Sequence, residues 1–185
     1  GELGTLRGDF RQAGVVDDHW SYKANVGRVQ SNTWTRSRTA ADRVKGLFEY
    51  PGLGNKLRKL DNSEVASQYF SGRVDYNNED ELATVEGGFS EVQNEVFITG
   101  IGRVQVTRAH KPWGRVNFST SSLNVMLWGQ GRKSVEPQYS LQSGAPLHEK
   151  SAIFNGEVQY NFNALQDALK VILGASHRTY SVDTD

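Results

Sequence analysis

Hydrophobic and polar positions alternate along residues 95–128, EVFITGIGRVQVTRAHKPWGRVNFSTSSLNVMLW. Val104, Val106 and Arg108 fall on one side; Arg103, Gln105 and Thr107 fall on the other. A break at His110-Lys111-Pro112-Trp113-Gly114 predicts a turn. Beyond it Val116 and Phe118 alternate with Arg115 and Asn117, and Val125 and Leu127 keep the period after Ser121-Ser122. Period two with β-branched and aromatic residues, cut by Pro, Gly and Ser, predicts antiparallel strands with one buried face.

The same pattern predicts strands and turns over 1–32, with a turn at Asp17-Asp18 and a strand over 20–30. Further strands are expected at 71–76, 82–89, 92–107, 115–119, 123–127, 135–141 and 152–160. A Gly-Arg-Val tripeptide recurs at Gly27, Gly72, Gly102 and Gly114, with Gly156-Glu157-Val158 as a near copy. Its spacings of 45, 30, 12 and 42 residues form no repeat period, so it reads as a strand opening with exposed arginine and buried valine.

Elsewhere the period lengthens. Thr39-Ala-Ala-Asp42 has the form of a helix cap, with Val44, Leu47 and Phe48 on one face, and Ser63-Glu64 could cap a second short helix through Tyr69. Near the end, Asn163 and Gln166 open a helix. Leu165, Ala168, Leu169, Ile172 and Leu173 follow at i, i+3, i+4, i+7 and i+8, Gly174 stops it, and a last strand is expected over 178–182. The expected fold is therefore β-dominated α+β in one domain of 185 residues. It is an antiparallel sandwich or flattened barrel, covered by one amphipathic helix over 163–174, with one or two short helices near 39–70. This plan is similar to that of phage tail-tube subunits. Alternating strands also raise an outer-membrane barrel, a reading set aside here. The expected helices, the lack of aromatic girdle spacing and a mean hydropathy of -0.58 stand against it.

Composition narrows the chemistry. With no cysteine, thiol catalysis, thiolate metal sites and disulfides are excluded. No apolar run reaches the ~18 residues of a spanning helix, so no transmembrane segment of that kind is expected. Gly1 in place of Met fits removal of an initiator or of a longer leader. A formal net charge of +0 gives no bulk electrostatic pull on nucleic acid or membrane, and no sequence-specific nucleic-acid partner is expected.

Candidate motifs are few. Arg7-Gly8-Asp9 spells an integrin-ligand tripeptide but equally a tight turn. Gly52–Lys56 lacks phosphate-loop spacing, and Trp128-Gly-Gln-Gly131 spells an antibody joining motif without that family's cysteines. His19, His110, His148 and His177 do not pair at ligand spacing, and no serine elbow is present. Asp75, Asn77, Glu79, Glu81 and Glu86 match calcium-loop positions, but Asp80 stands where that loop needs glycine, so an acidic hairpin tip is expected. No catalytic residue, metal or cofactor is assigned. Arg108, His110, Lys111, Trp113 and Arg115 crowd the predicted turn as a cationic, aromatic tip suited to a glycan or anionic ligand.

Charge placement is the remaining signal. Residues 23–59 hold nine basic and two acidic residues, and residues 75–95 hold seven acidic and no basic one. Segregated charge of this kind suits head-to-tail contacts between copies, with Arg36, Arg38 and Arg43 of one copy facing Glu79, Asp80 and Glu81 of the next. The expected function is a non-catalytic, self-assembling structural subunit of a virion, phage tail or extracellular fibre. A secreted carbohydrate- or ligand-binding β-domain is the first alternative, and a β-sandwich glycan-active enzyme the second.

Overall fold

The computed structural model describes residues 4–31, 47–48, 58–59, 65–99, 102–140, 145–166 and 168–184. Its elements are all strands: β1 (Thr5–Val15), β2 (Trp20–Ser31), β3 (Leu47–Phe48), β4 (Arg58–Lys59), β5 (Val65–Asn77), β6 (Glu81–Thr99), β7 (Gly102–Thr120), β8 (Leu123–Glu136), β9 (Gln138–Ser140), β10 (Pro146–Leu147), β11 (Glu149–Ala164) and β12 (Leu169–Thr184). Ten of them form one antiparallel sheet, with the order β1-β2-β5-β6-β7-β8-β11-β12 and β9 and β10 off that path. Each long strand pairs with the next long strand, an up-and-down meander. No second sheet or helix covers it among the described residues; β3 and β4 make only a two-stranded ribbon. The expected sandwich with a covering helix is overturned.

The helix predicted over 163–174 is the end of β11, a turn and the start of β12. Its apolar residues fit two periods at once. Leu165, Leu169 and Ile172 suit a helix, but Leu169, Val171, Leu173 and Ala175 also alternate, and they face Ala164, Phe162, Tyr160 and Val158 across the pair. Extended pairing with a full-length neighbour outweighs the local helix pattern, and β-branched Val171 and Ile172 lean the same way. Leu165 and Gln166 stand in the turn at φ 54° and 56°, both in the left-handed region. The short helix expected from Ser63-Glu64 through Tyr69 is strand from Val65 onward. The one capped at Thr39 falls outside the described residues, except for Leu47 and Phe48 in β3.

The turn expected at 110–114 does not exist: β7 runs unbroken through it. Pro112 has no N–H to give, and the β7–β8 ladder passes from His110–Lys133 to Trp113–Gln130, skipping Lys111 and Pro112. The β6–β7 ladder is continuous there and holds the strand. Arg7-Gly8-Asp9 likewise lies inside β1 and is neither a loop nor a turn.

One end of the sheet turns tightly. Asp17 Oδ1 accepts from the N–H groups of His19 and Trp20 at 2.9 and 2.8 Å, closing β1 onto β2. Residues 78–80 close β5 onto β6, and Ser121-Ser122 close β7 onto β8. At the opposite end the sheet bends. Asn94 has φ 55°, and the β7–β8 register shifts between Arg108 and Ala109. Such bulges invert which residues point to a given face and let a sheet turn a corner. Beyond them, residues 95–99 and 102–107 with β9 fold back over one face, because Lys111 Nζ and Arg132 Cζ lie 5.3 and 5.6 Å from the Phe97 ring centre. On a straight strand, Phe97 would stand about seven residues, or ~23 Å, from that level. The bend makes the one hydrophobic core described: Val92, Val106 and Ala109 with Phe97 packed against them.

Candidate functional site: the two faces of the sheet

Cross-strand partners share a face, so the registers sort every long strand into two sets. One face carries Phe10 on β1; Trp20, Tyr22 and Val26 on β2; Phe70, Val74 and Tyr76 on β5. It continues with Ala83, Val85 and Phe89 on β6; Val116 and Phe118 on β7; Leu123, Val125 and Leu127 on β8; Phe154, Val158 and Tyr160 on β11; and Leu173 on β12. These side chains are uncovered: Phe70 is 56% exposed, Val85 57% and Leu173 57%.

The band has defined limits. Toward the tight turns it ends in aromatic rings, with Trp20 against Tyr76 at 5.0 Å and Tyr160 stacked on Phe162 at 6.0 Å. Toward the bend it ends in a polar row: Arg28, Gln68, Glu91, His110, Lys133 and Lys150, each paired with the next. Glu91 centres that row, accepting from Arg108 at 2.8 Å, Gln93 at 2.7 Å and Gln68 at 3.2 Å, with His110 Nε2 at 2.6 Å. The Arg108 guanidinium, then these other contacts, hold its carboxyl down at about 2 against the burial that opposes it. Along β11 the apolar positions from Ala152 to Phe162 cover roughly 33 Å of strand.

The opposite face holds most of the charge and pairs it internally, although Val15, Ile172, Tyr180 and Val182 also stand exposed on it. Arg115 Nε lies 2.5 Å from Glu86, and Arg73 lies 2.7 Å from Asp75, which also accepts from Thr84. Arg132 lies 2.7 Å from Glu149. Arg178 donates to Asn155, whose amide donates to Glu157. Arg7 pairs with Asp9, which accepts from Tyr69 at 2.6 Å; the Arg7 guanidinium, then the Tyr69 hydroxyl, hold Asp9 low, and the donation to Asp9 pushes the Tyr69 hydroxyl up.

The Gly-Arg-Val recurrence is explained by these faces. Gly72-Arg73-Val74 and Gly114-Arg115-Val116 flank the reversed tripeptide Val85-Glu86-Gly87. Valine meets valine on the apolar face, and Arg73, Glu86 and Arg115 form a charge ladder on the polar face. Of the valines expected to be buried, Val29, Val74 and Val116 are exposed, at 38%, 45% and 45%, while Val104 is buried at 3%.

The five residues expected to crowd one tip are divided. Arg108 and His110 join Glu91 at the border of the apolar band, while Lys111, Trp113 and Arg115 lie on the polar face. Of the assembly residues, Glu79 and Asp80 sit exposed in the β5–β6 turn and Glu81 opens β6, whereas Arg36, Arg38 and Arg43 lie outside the described residues. Asp75, Glu86 and Glu91 are each spent on an arginine of a neighbouring position or strand, so much of the acidic block is neutralised within the sheet. Among the described residues no cluster of acidic or histidine side chains could hold a metal ion. Sequence reasoning missed the apolar band itself. Its signal was present, since Trp20, Tyr22, Ala24 and Val26 alternate as cleanly as the stretch at 116–127.

Comparison of the chain with protein families, with curated proteins and with solved structures finds no match. No helix among the described residues is long and apolar enough to cross a membrane.

Proposed function

We propose that this sheet is a wall of a transmembrane β-barrel, with its apolar band against lipid hydrocarbon and its paired-charge face toward an aqueous interior. The observation that carries the reading is the uncovered apolar face, continuous from Phe10 to Leu173. Water would oppose so much exposed apolar surface, whereas hydrocarbon favours it. At the ~40° tilt of barrel strands the ~33 Å band would stand about 25 Å tall; aromatic rings at one border, a charged row at the other and tight turns at one end also suit a bilayer. The half-polar composition that lowers the mean hydropathy is what alternation between lipid and water requires. Hydrocarbon tolerates no open edge, so β1 and β12 take further strands to close the wall. Self-assembly, the reading drawn from charge segregation, keeps one support, the same two unpaired edges.

The cysteine-free chain permits a direct test. Single cysteines replace Val74, Val116 or Val158 on the apolar face, and Ser71, Asn117 or Gln159 on the polar face. In phosphatidylcholine vesicles the polar-face thiols should react with a water-soluble maleimide and the apolar-face thiols should be shielded. Equal reaction on both faces would falsify the proposal. Shielding that survives in detergent and is accompanied by cross-links between apolar-face cysteines of two copies would replace lipid with a second copy.

A further inference from the structure

Two tryptophans stand on the polar face, where alternation should place small or charged groups. Trp113 pairs in register with Gln130, and Arg115 with Trp128, so the indoles lie diagonally across β7 and β8. Between them is an open cavity of about 360 Å³, walled by Glu86, Arg115, Met126 and Gln130 and floored by Gly114 and Gly129.

Each indole is held in place. Trp113 lies flat over Gly88, where a Cβ would come within 2.6 Å of Nε1 and 2.9 Å of Cε2; only glycine gives that room. The Trp128 ring is backed by the Arg178 guanidinium at 5.8 Å, itself fixed by Asn155 at 3.0 Å and by the Tyr180 hydroxyl at 3.2 Å. Arg115 is steadied by Glu86 yet remains 41% exposed. Rigid rings with a fixed donor–acceptor pair between them lose little entropy when a ligand arrives.

We infer that this cavity binds a saccharide. A pyranose ring has an apolar face of C–H groups that stacks on an indole, and a rim of hydroxyls that both donate and accept. The Arg115–Glu86 pair and Gln130 supply both roles around one opening. An inorganic anion would use the arginine and leave the two indoles without purpose, and an apolar ligand would leave the ion pair unsatisfied. The inference deepens the barrel-wall reading only in that the strip faces water.

The test is titration of the full chain in detergent micelles with maltotriose and with cellotriose, followed by tryptophan emission. At least one trimer should give a saturable change. Trp113→Ala and Trp128→Ala should each weaken binding roughly tenfold, the equivalent of one lost stacking contact. Trp113→Phe should recover most of the affinity with an unchanged circular dichroism spectrum, and Trp20→Phe on the apolar face should leave the titration alone. Silence with both trimers, wild-type affinity in both alanine variants, or complete displacement by sulfate overturns the inference. Loss of binding with the maleimide pattern intact overturns it without touching the barrel wall.

Discussion

The flat wall and the folded-back flap are built from the same alternating strands, yet they treat their valines in opposite ways. In the wall, Val74, Val85 and Val116 meet across strands and stay exposed; in the flap, Val104 and Val106 are 3% and 0% exposed. The flap finds an apolar partner within the chain because the left-handed backbone at Asn94 and the bulge at Arg108–Ala109 bring it over. The wall has no such partner and depends on its surroundings. Burial is thus a property of topology here, and alternation alone does not say which side is covered.

Charge substitution should widen that contrast most. Val116→Arg should cost about 2–4 kcal/mol of membrane stability, as basic groups do near a bilayer midplane, while Asn117→Arg one residue away should be close to neutral. Refolding titrations in lipid vesicles read both; equal costs would erase the distinction between faces. In the flap, Val106→Ala should cost about 2 kcal/mol through the cavity it leaves, but Val74→Ala in the wall much less.

Glycines offer a finer comparison. Gly88→Val forces a side chain against Trp113 and the Phe70 carbonyl, the latter at 2.7 Å, and should cost ~1–3 kcal/mol. Gly72→Ala has open space and should be neutral or slightly stabilising by thermal denaturation.

The smallest effect is in pH. Glu91 titrates at about 2 in the folded chain against an ordinary 4.5, so its contribution is complete above pH 4.5 and is lost as pH falls from there toward 2. Arg108 is 40% exposed and water screens the pair, so the loss should be about 1 kcal/mol, absent in Glu91→Gln.

Much of the strand content was legible. The stretch at 116–127, the turn at Asp17-Asp18 and the hairpin around 78–80 follow from alternation and turn chemistry. The long β12 was not, because Leu165, Leu169 and Ile172 satisfy a helical stripe while Leu169, Val171 and Leu173 satisfy a strand. Only the partner strand β11 decides between them. The break at Pro112 misled for a related reason: a proline stops one ladder, and sequence does not show that β6 holds the other side. Of the candidate site, Trp113 and Arg115 were found by their chemistry. Trp128 and Glu86 were not, because they meet them only through register.

The fold-back has a consequence for motion. The wall's central amides are hydrogen-bonded on both sides by strands of 11 to 19 residues. The flap rests on one small cluster and the short β9, so it can open without disturbing β5 or β11. Its amides should open as a separate cooperative unit and exchange with solvent deuterium first, while those at 69–76 should remain protected. An aqueous interior beside such a unit would have a cross-section set by an opening equilibrium and not by strand number alone.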